Sequence, residues 1–466
     1  MENKKTAKEW QEQLVYEQKN AGLLLNDSQL ADVQDFCEEY KSFLNQAKTE
    51  REAVEYIISM AERNGFVRYQ PGARYQAGDK VYLNNRGKSA ILAVMGALPL
   101  EQGVHIVASH IDSPRLDLKA HPLYEDHDLA LLKTHYYGGI KKYQWTCIPL
   151  SLHGVIHQKD GTKIRVSLGD HPGDPVFCVN DLLPHLATKQ MKRPANELVQ
   201  GEELNVLVGM HPFRDDECSE KVKLQVLKTL FETYGVTERD FISAELEMVP
   251  AHPASDVGFD RSMVGGYGQD DRVCAYTSLM AALDCDAPQK TMVTVFADKE
   301  EIGSDGNTGL KSAFFSYFIA NLAAPYGVEG RTVLSHSQCL SADVNAGFDP
   351  TFPDVNEKNN TAYCNYGVGL CKYTGSRGKA GSSDASAEFV DWVTRLFDRT
   401  GVIWQMAELG KVDAGGGGTV AAYLANLDID VIDVGVPVLS MHSPFEVTSK
   451  VDVYMAYRAF SEFFRS

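Results

Sequence analysis

The sequence lacks any run of about 18 consecutive apolar residues, the minimum for a membrane-spanning helix, and its N-terminal MENKKTAKEWQEQLVYEQKN has a basic start without a signal-peptide apolar stretch. A cytoplasmic protein with no membrane partner is therefore expected. Cysteine is present, but no two of the nine form a C-x-x-C pair, and a dispersed odd set reads as reduced core thiols rather than a disulfide framework. Positive charge is in deficit: 45 Lys and Arg against 63 Asp and Glu give a formal charge of −18. A nucleic-acid backbone or an anionic bilayer is thereby disfavoured as the main partner. Internal repeats, low-complexity tracts and long linkers are also missing, which argues against solenoids and arrays.

What is there suits a globular chain of more than one domain, because 466 residues exceed the roughly 250 to 300 that a single core usually serves. Thr49 and Glu52 form a capping box before Ala53, Val54, Ile57, Ile58 and Ala61, predicting a helix that Gly65 stops. Short apolar runs follow, among them 89–95 and 104–108, and read as strands. Between 114 and 250, strand-like segments at 154–157 and 163–168 alternate with Asp-Gly and Pro-Gly turn signals and predict a β-rich insertion. After residue 251 strand and helix alternate again: strands at 291–297, 339–343 and 430–435, helices at 308–323, 386–397 and 450–464. The expected class is α/β with a mixed sheet, its main domain discontinuous (1–113 plus 251–466) and interrupted by 114–250.

Ligands of open α/β sheets collect outside the carboxyl ends of the strands. Four apolar runs end there in metal-capable residues: 104–109 runs into His110-Ile-Asp112, 292–297 into Asp298-Lys-Glu300-Glu301, 339–342 into Asp343, and 436–441 into His442. All four are expected on one edge. Gly268-Gln-Asp270-Asp271-Arg272 precedes a helix-like stretch, 273–283, and offers a fifth group. Imidazole and carboxylate suit a borderline metal such as Zn²⁺, with Co²⁺ and Mn²⁺ also accommodated. Two adjacent ions need a shared anion, and Asp270 is the candidate bridge. Glu300 and Glu301 diverge if extended, so that one ligates while the other contacts the activated water. Asp112, two residues from His110, is placed to orient its imidazole.

Taken together, Ala108-Ser-His110-Ile-Asp112-Ser-Pro-Arg115, Asp270-Asp-Arg272, Asp298-Lys-Glu-Glu-Ile-Gly-Ser304, Ser341-Ala-Asp343 and Met441-His442-Ser443 resemble the aspartyl aminopeptidase family of dinuclear metallopeptidases over nearly the whole chain. The resemblance implies hydrolysis of the N-terminal residue from peptides with a free N-terminus. It implies two divalent ions per subunit, one held by His110 and Asp343, the other by Glu301 and His442, and both by Asp270, with Glu300 as general base. It further implies that 114–250 is a dimerisation domain and that dimers assemble into a homododecamer. Leu182-Leu-Pro-His185-Leu-Ala187 is similar to the family segment whose histidine reaches a neighbouring subunit's site. Lys372 resembles a lysine placed near an acidic substrate side chain. The continuation from Tyr373 departs from the family's Asn-x-x-Gln-Arg-Tyr-like pattern, so acidic and neutral side chains both stand as substrates.

A two-metal carboxypeptidase or deacylase shares the same water chemistry and is the nearest alternative, and a non-catalytic peptide-binding shell protein is a more distant one. The glycines of Asp413-Ala-Gly-Gly-Gly-Gly-Thr419 fit either a phosphate cradle or a close approach to bound peptide.

Overall fold

The computed structural model describes residues 5–215, 217–413 and 415–466. Its centre is a nine-stranded mixed sheet in the order Val67–Arg68, Lys80–Asn85, Ser89–Val94, Thr291–Ala297, Val104–His110, Gln338–Ser341, Asp430–Gly435, Val368–Cys371 and Trp404–Met406. The middle four are mutually parallel, whereas Ser89–Val94 and Val368–Cys371 flank them antiparallel. Side chains alternate between faces with period two, so Val107 and Leu340 join one core while Ile106, Ala108 and Cys339 join another. Helices cover both faces, which is why the central strands read as continuous apolar runs. Asp27–Gln46, Glu50–Arg63, Gln269–Leu283, Ala387–Thr400 and Lys450–Arg465 pack on one side; Phe314–Ala323, Gly330–Ser335 and Ala421–Ala425 pack on the other.

The anticipated capping box is formed: Thr49 Oγ1 accepts from the Glu52 amide and the Glu52 carboxylate accepts from the Thr49 amide. A second, seven-stranded antiparallel sheet takes all its strands from 115–250, beginning with the hairpin of Arg115–Asp126 and Leu129–Tyr137. The same stretch also carries a helix, Lys221–Tyr234, absent from the sequence expectation. Val222, Val226, Leu227, Leu230 and Tyr234 recur at helical spacing and bury that face in the third core.

One expectation needs correction. The run before His442 is not a strand of the central sheet: Pro437–Leu439 belongs to a five-stranded sheet with Glu446–Ser449 and Met263–Gly266. Three donor groups therefore lie at the central sheet's carboxyl edge, and His442 arrives from a neighbouring sheet. The cysteines also depart from the core-thiol expectation. All nine are free, but Cys147 is exposed and Cys178, Cys218 and Cys364 are only half-buried. No helix among the described residues is long and apolar enough to cross a membrane.

Candidate metal centre

The parallel strand Val104–His110 delivers a buried imidazole at its last residue, beside the turns that follow its two neighbours. His110 Nε2 lies 3.1 Å from Asp270 Oδ1, 3.8 Å from Asp343 Oδ1 and 4.0 Å from Glu300 Oε2. His442 Nε2 lies 3.1 Å from the other oxygen, Asp270 Oδ2, and 3.6 Å from Glu301 Oε1. The fold thus brings together His110, Asp270, Glu300, Glu301, Asp343 and His442, and Asp270 turns one oxygen to each histidine. Regular helix begins only at Arg272, since Asp270 and Asp271 have non-helical backbones across a cis peptide.

The surroundings fix which nitrogen of each ring is available. His110 Nδ1 donates to the Asp112 carbonyl oxygen at 3.0 Å, and His442 Nδ1 donates to the Gly139 carbonyl oxygen at 2.8 Å. A carbonyl can only accept, so each neutral ring carries its proton on Nδ1 and presents an Nε2 lone pair to carboxylate oxygens. Lone pair facing lone pair is repulsive without a cation or a second proton between them. Donors sharing one tetrahedral ion at bonds of roughly 2.0–2.2 Å sit roughly 3.3 Å apart, close to the separations here. Glu301 Oε1 is buried with no hydrogen-bond partner, a further orphan that a cation would satisfy. The donors present therefore fit divalent metal. Two trios offer ligand atoms within 4.8 Å of one another: His110, Asp270 and Glu301, and His110, Asp271 and Asp343. In the second, Asp271 Oδ2 already accepts the His110 amide at 3.3 Å, so Asp271 braces the turn.

The electrostatics reflect crowded acids. Burial and the charge of Asp270 raise Glu301 well above the carboxylate range, and burial with the charges of Asp271 and Asp270 does the same to Asp343. Burial, with Asp270 and Asp112 nearby, pushes Glu300 up to about 7. At Asp270 burial also opposes charge, but hydrogen bonds from His110 and His442 outweigh it and hold the carboxyl below its usual range. The histidines take the complementary shift: burial works against protonation, yet Asp270 carries His442 up to about 10. Without cations, protons occupy the cluster.

Asp112 sits as expected two residues from His110, but the imidazole is held by its carbonyl, while its carboxylate stands 3.4 Å away. That carboxylate has other work. It accepts the amides of Glu300 at 3.1 Å and Glu301 at 3.2 Å, and the Tyr137 hydroxyl at 2.8 Å. Glu446, which sequence reading missed, is buried and accepts the His442 amide at 2.7 Å and the Asp270 amide at 3.2 Å. It restrains His442 in a left-handed conformation, φ 64°, that costs a non-glycine residue energy. Tyr137, Gly138 and Gly139 close the site from the seven-stranded sheet. Gly138 has φ +74°, and a Cβ there would come within 3.2 Å of Glu301 Oε2.

A cavity of about 280 Å³ opens beside the cluster, walled by Asn345, Cys371, Glu408, Asp433 and the backbone of Gly416–Gly418 as well as by Asp270, Glu300, Asp343 and His442. Of the glycine-rich segment, Gly416–Gly418 and Thr419 thus border the same space, while Ala414 lies outside the described residues. Lys372 is half-buried and is not among the lining residues. His185 lies on an exposed turn, amid the exposed Leu182, Leu183 and Leu186.

Residues 43–464 match the family described as aminopeptidase I zinc metalloprotease (M18). A probable M18 family aminopeptidase 1 of Clostridium acetobutylicum is 49% identical over 458 residues, covering 97% of this chain and 98% of that one. The crystal structure of an M18-family aminopeptidase from Thermotoga maritima superposes with a TM-score of 0.92 at 44% identity, covering 97% of this chain and all of the other. A structure described as the mApe1 dodecamer of S. cerevesiae, at 22% identity and TM-score 0.76, covers 93% of this chain and 97% of its own and shares the fold.

Proposed function

The chain belongs to the aminopeptidase I zinc metalloprotease (M18) family and is a metallo-aminopeptidase, a hydrolase, and from this premise we propose how its residues divide the work. His110 and Asp343 would hold one divalent ion and Glu301 and His442 a second, with Asp270 shared between the two. The observation that carries this reading is the division of Asp270, whose Oδ1 faces His110 and whose Oδ2 faces His442, each at 3.1 Å. Zn²⁺ is the ion favoured by the family and by the nitrogen and oxygen donors; Co²⁺ and Mn²⁺ accept the same set. When bound, the ions lower the pKa of water towards about 7 and polarise the scissile carbonyl.

Glu300 Oε2 takes the proton of the attacking water and delivers it to the leaving nitrogen. Its backbone is fixed for this by Asp112, which grips the Glu300 and Glu301 amides together. Asp112 itself orients His110 through its carbonyl and is a positioning residue. His110 and His442, tied through Nδ1 to carbonyl oxygens, keep their Nε2 lone pairs directed inward.

The segment 114–250 acts as an inserted dimerisation domain within a catalytic domain formed by 1–113 and 251–466. Support comes from the continuous antiparallel sheet of 115–250, with its own core, and from the exposed Val176, Leu182, Leu183, Leu186 and Met191. Dimers assembled into a dodecamer, the form named for the yeast structure, would bury this apolar patch and carry His185 towards a neighbouring site, where it contacts substrate. Lys372, next to the cavity wall in sequence, borders the substrate at longer range. Peptides with a free N-terminus are the substrates, and the cytoplasm is the location.

Counting metal in the purified protein tests the division. Two ions per chain are expected, and His442→Ala should retain one. A single ion in the wild-type protein, or two retained by the variant, would overturn the pairing.

A further inference from the structure

The aminopeptidase reading leaves open which N-terminal side chain enters the cavity beside the metal centre. The walls beyond the centre include an apolar set, Val344, Ala346, Cys371, Ala407 and Leu409. Two additional carboxylates stand among them. Asp433 is 2% exposed, lies near the carboxyl end of strand Asp430–Gly435, and accepts the Thr419 hydroxyl on Oδ1 at 2.7 Å. Its Oδ2 is buried beside the hydroxyl of Ser341, its neighbour on the paired strand, which hydrogen-bonds to the carboxylate. Glu408 is half-buried, and the Tyr373 hydroxyl donates to its Oε1 at 2.7 Å. Among the described residues, no lysine or arginine lines this cavity.

Two carboxylates on one cavity, met by hydroxyls and by no cation in its wall, favour a positively charged occupant. An acidic substrate side chain would bring a third negative charge between these two, with no cation in the wall to meet it. A small neutral one would leave both carboxylates without an opposite charge. A long aliphatic stem ending in a cation satisfies both features, its methylenes against the apolar wall and its donors on the carboxylates. The sign of the field agrees: Cys371, between them in the wall, has its thiol raised by burial and then by Asp433, with Glu408 and Asp343 adding to it.

We propose that Asp433 and Glu408 select substrates whose N-terminal side chain is cationic, lysine or arginine, over acidic ones. The inference rests on the aminopeptidase reading, and its test separates the two. The metal-loaded full-length protein is assayed for kcat/KM on Lys, Arg, Leu and Glu p-nitroanilides and on N-acetyl-Lys p-nitroanilide, and free L-lysine and L-glutamate are compared as competitive inhibitors of Leu p-nitroanilide cleavage. Lys and Arg should exceed Glu by about 100-fold, the product of one gained charge-assisted pairing and one avoided repulsion at about tenfold each. L-lysine should inhibit at least about tenfold more tightly than L-glutamate. Asp433→Asn and Glu408→Gln should each lower the Lys-to-Leu ratio of kcat/KM by about tenfold, and Glu408→Lys should move preference towards Glu. Glu408→Gln keeps the test alive if the buried Asp433→Asn fails to fold. A Glu substrate cleaved as well as Lys, or variants that slow Lys and Leu equally, as a contact to the α-ammonium would, overturns the proposal. Cleavage of the N-acetyl substrate alone overturns the aminopeptidase reading instead.

Discussion

Replacing Tyr137 by Phe tests whether the seven-stranded sheet takes part in catalysis. The substitution removes one hydroxyl, and the ring has reason to stay in place because the Arg115 guanidinium stacks on it at 3.9 Å. What is lost is the 2.8 Å hydrogen bond to Asp112 Oδ2. A hydrogen bond to a charged group contributes about 1.5–3 kcal/mol. If all of that were expressed in the placement of Glu300, kcat/KM would fall by about 10- to 100-fold, at about 1.4 kcal/mol per decade. The Glu300 and Glu301 amides still hold the Asp112 carboxylate, so the lower end, about tenfold, is the expected loss. Metal content should not change, because Tyr137 touches Asp112 and none of the proposed donors. The assay is therefore paired: kcat/KM on an aminoacyl substrate, and metal per chain by mass spectrometry. Activity within twofold of wild type, or loss of metal, would refute the claim that Tyr137 acts through Asp112 on the base.

Glu300→Gln should keep fold and metal but lower kcat by at least about 10²-fold, the scale of a lost general base; turnover near wild type removes Glu300 from that role. Asp270→Asn takes away the shared charge and should deplete metal, whereas full occupancy with normal activity contradicts the bridge. A third site reports on stability. His153 donates to Glu52 through Nδ1 and to Asp170 through Nε2, each at 2.9 Å, and Lys48 adds a 2.7 Å contact to Asp170. Burial opposes every charge in this group and lowers Lys48, but at His153 and Asp170 the pairings win: His153 is raised above 6.5 and Asp170 is lowered from 3.8 to about 2. Stability from Asp170 is thus present above its unfolded value of 3.8 and lost as pH falls towards about 2. That from His153 is complete below 6.5 and lost as pH rises through its raised value. The melting-temperature deficit of His153→Gln should be largest between about pH 4 and 6.5 and shrink on both sides; a deficit independent of pH would show that packing alone is involved.

Much of the centre was legible because strand and donor are contiguous in sequence. Val104–His110 is an apolar run whose last residue is a proposed donor, and Thr291–Ala297 runs directly into Asp298-Lys-Glu300-Glu301, so local pattern places the side chain. The strands Thr291–Ala297 and Asp430–Gly435 have the bounds that their apolar runs predict. His442 was legible as a donor but not as to origin, since a three-residue strand such as Pro437–Leu439 carries no signal of which sheet it joins. Glu446, Tyr137 and Gly139 were not legible at all. Their importance lies in contacts across large sequence separations, 303 residues for Gly139 and His442, and neither composition nor period encodes those. Lys221–Tyr234 was a different failure: its 3.6-residue apolar period is readable, but turn signals on either side had set the stretch down as β-rich.

The long-range contacts also explain how the seven-stranded sheet of 115–250 is tied to the side-chain cluster. Asp112 ends one such path: Arg115 stacks on Tyr137, Tyr137 reaches Asp112, and Asp112 holds both the proposed base and a proposed ligand by their amides. Gly139 ends another, because its carbonyl fixes the tautomer of His442. Neither path exists unless the seven-stranded sheet is seated on the central domain. That seating is charged as well as apolar, through the Glu52, His153, Asp170 and Lys48 group and through Arg115, which approaches Glu50 and Glu247 at 3.4 Å. Displacing the insertion would free the His442 ring to rotate and release the Asp112 carboxylate from Tyr137. A rearrangement of the seven-stranded sheet, as by mutation at its seat, is thereby coupled to the geometry of the proposed base and ligands without touching either.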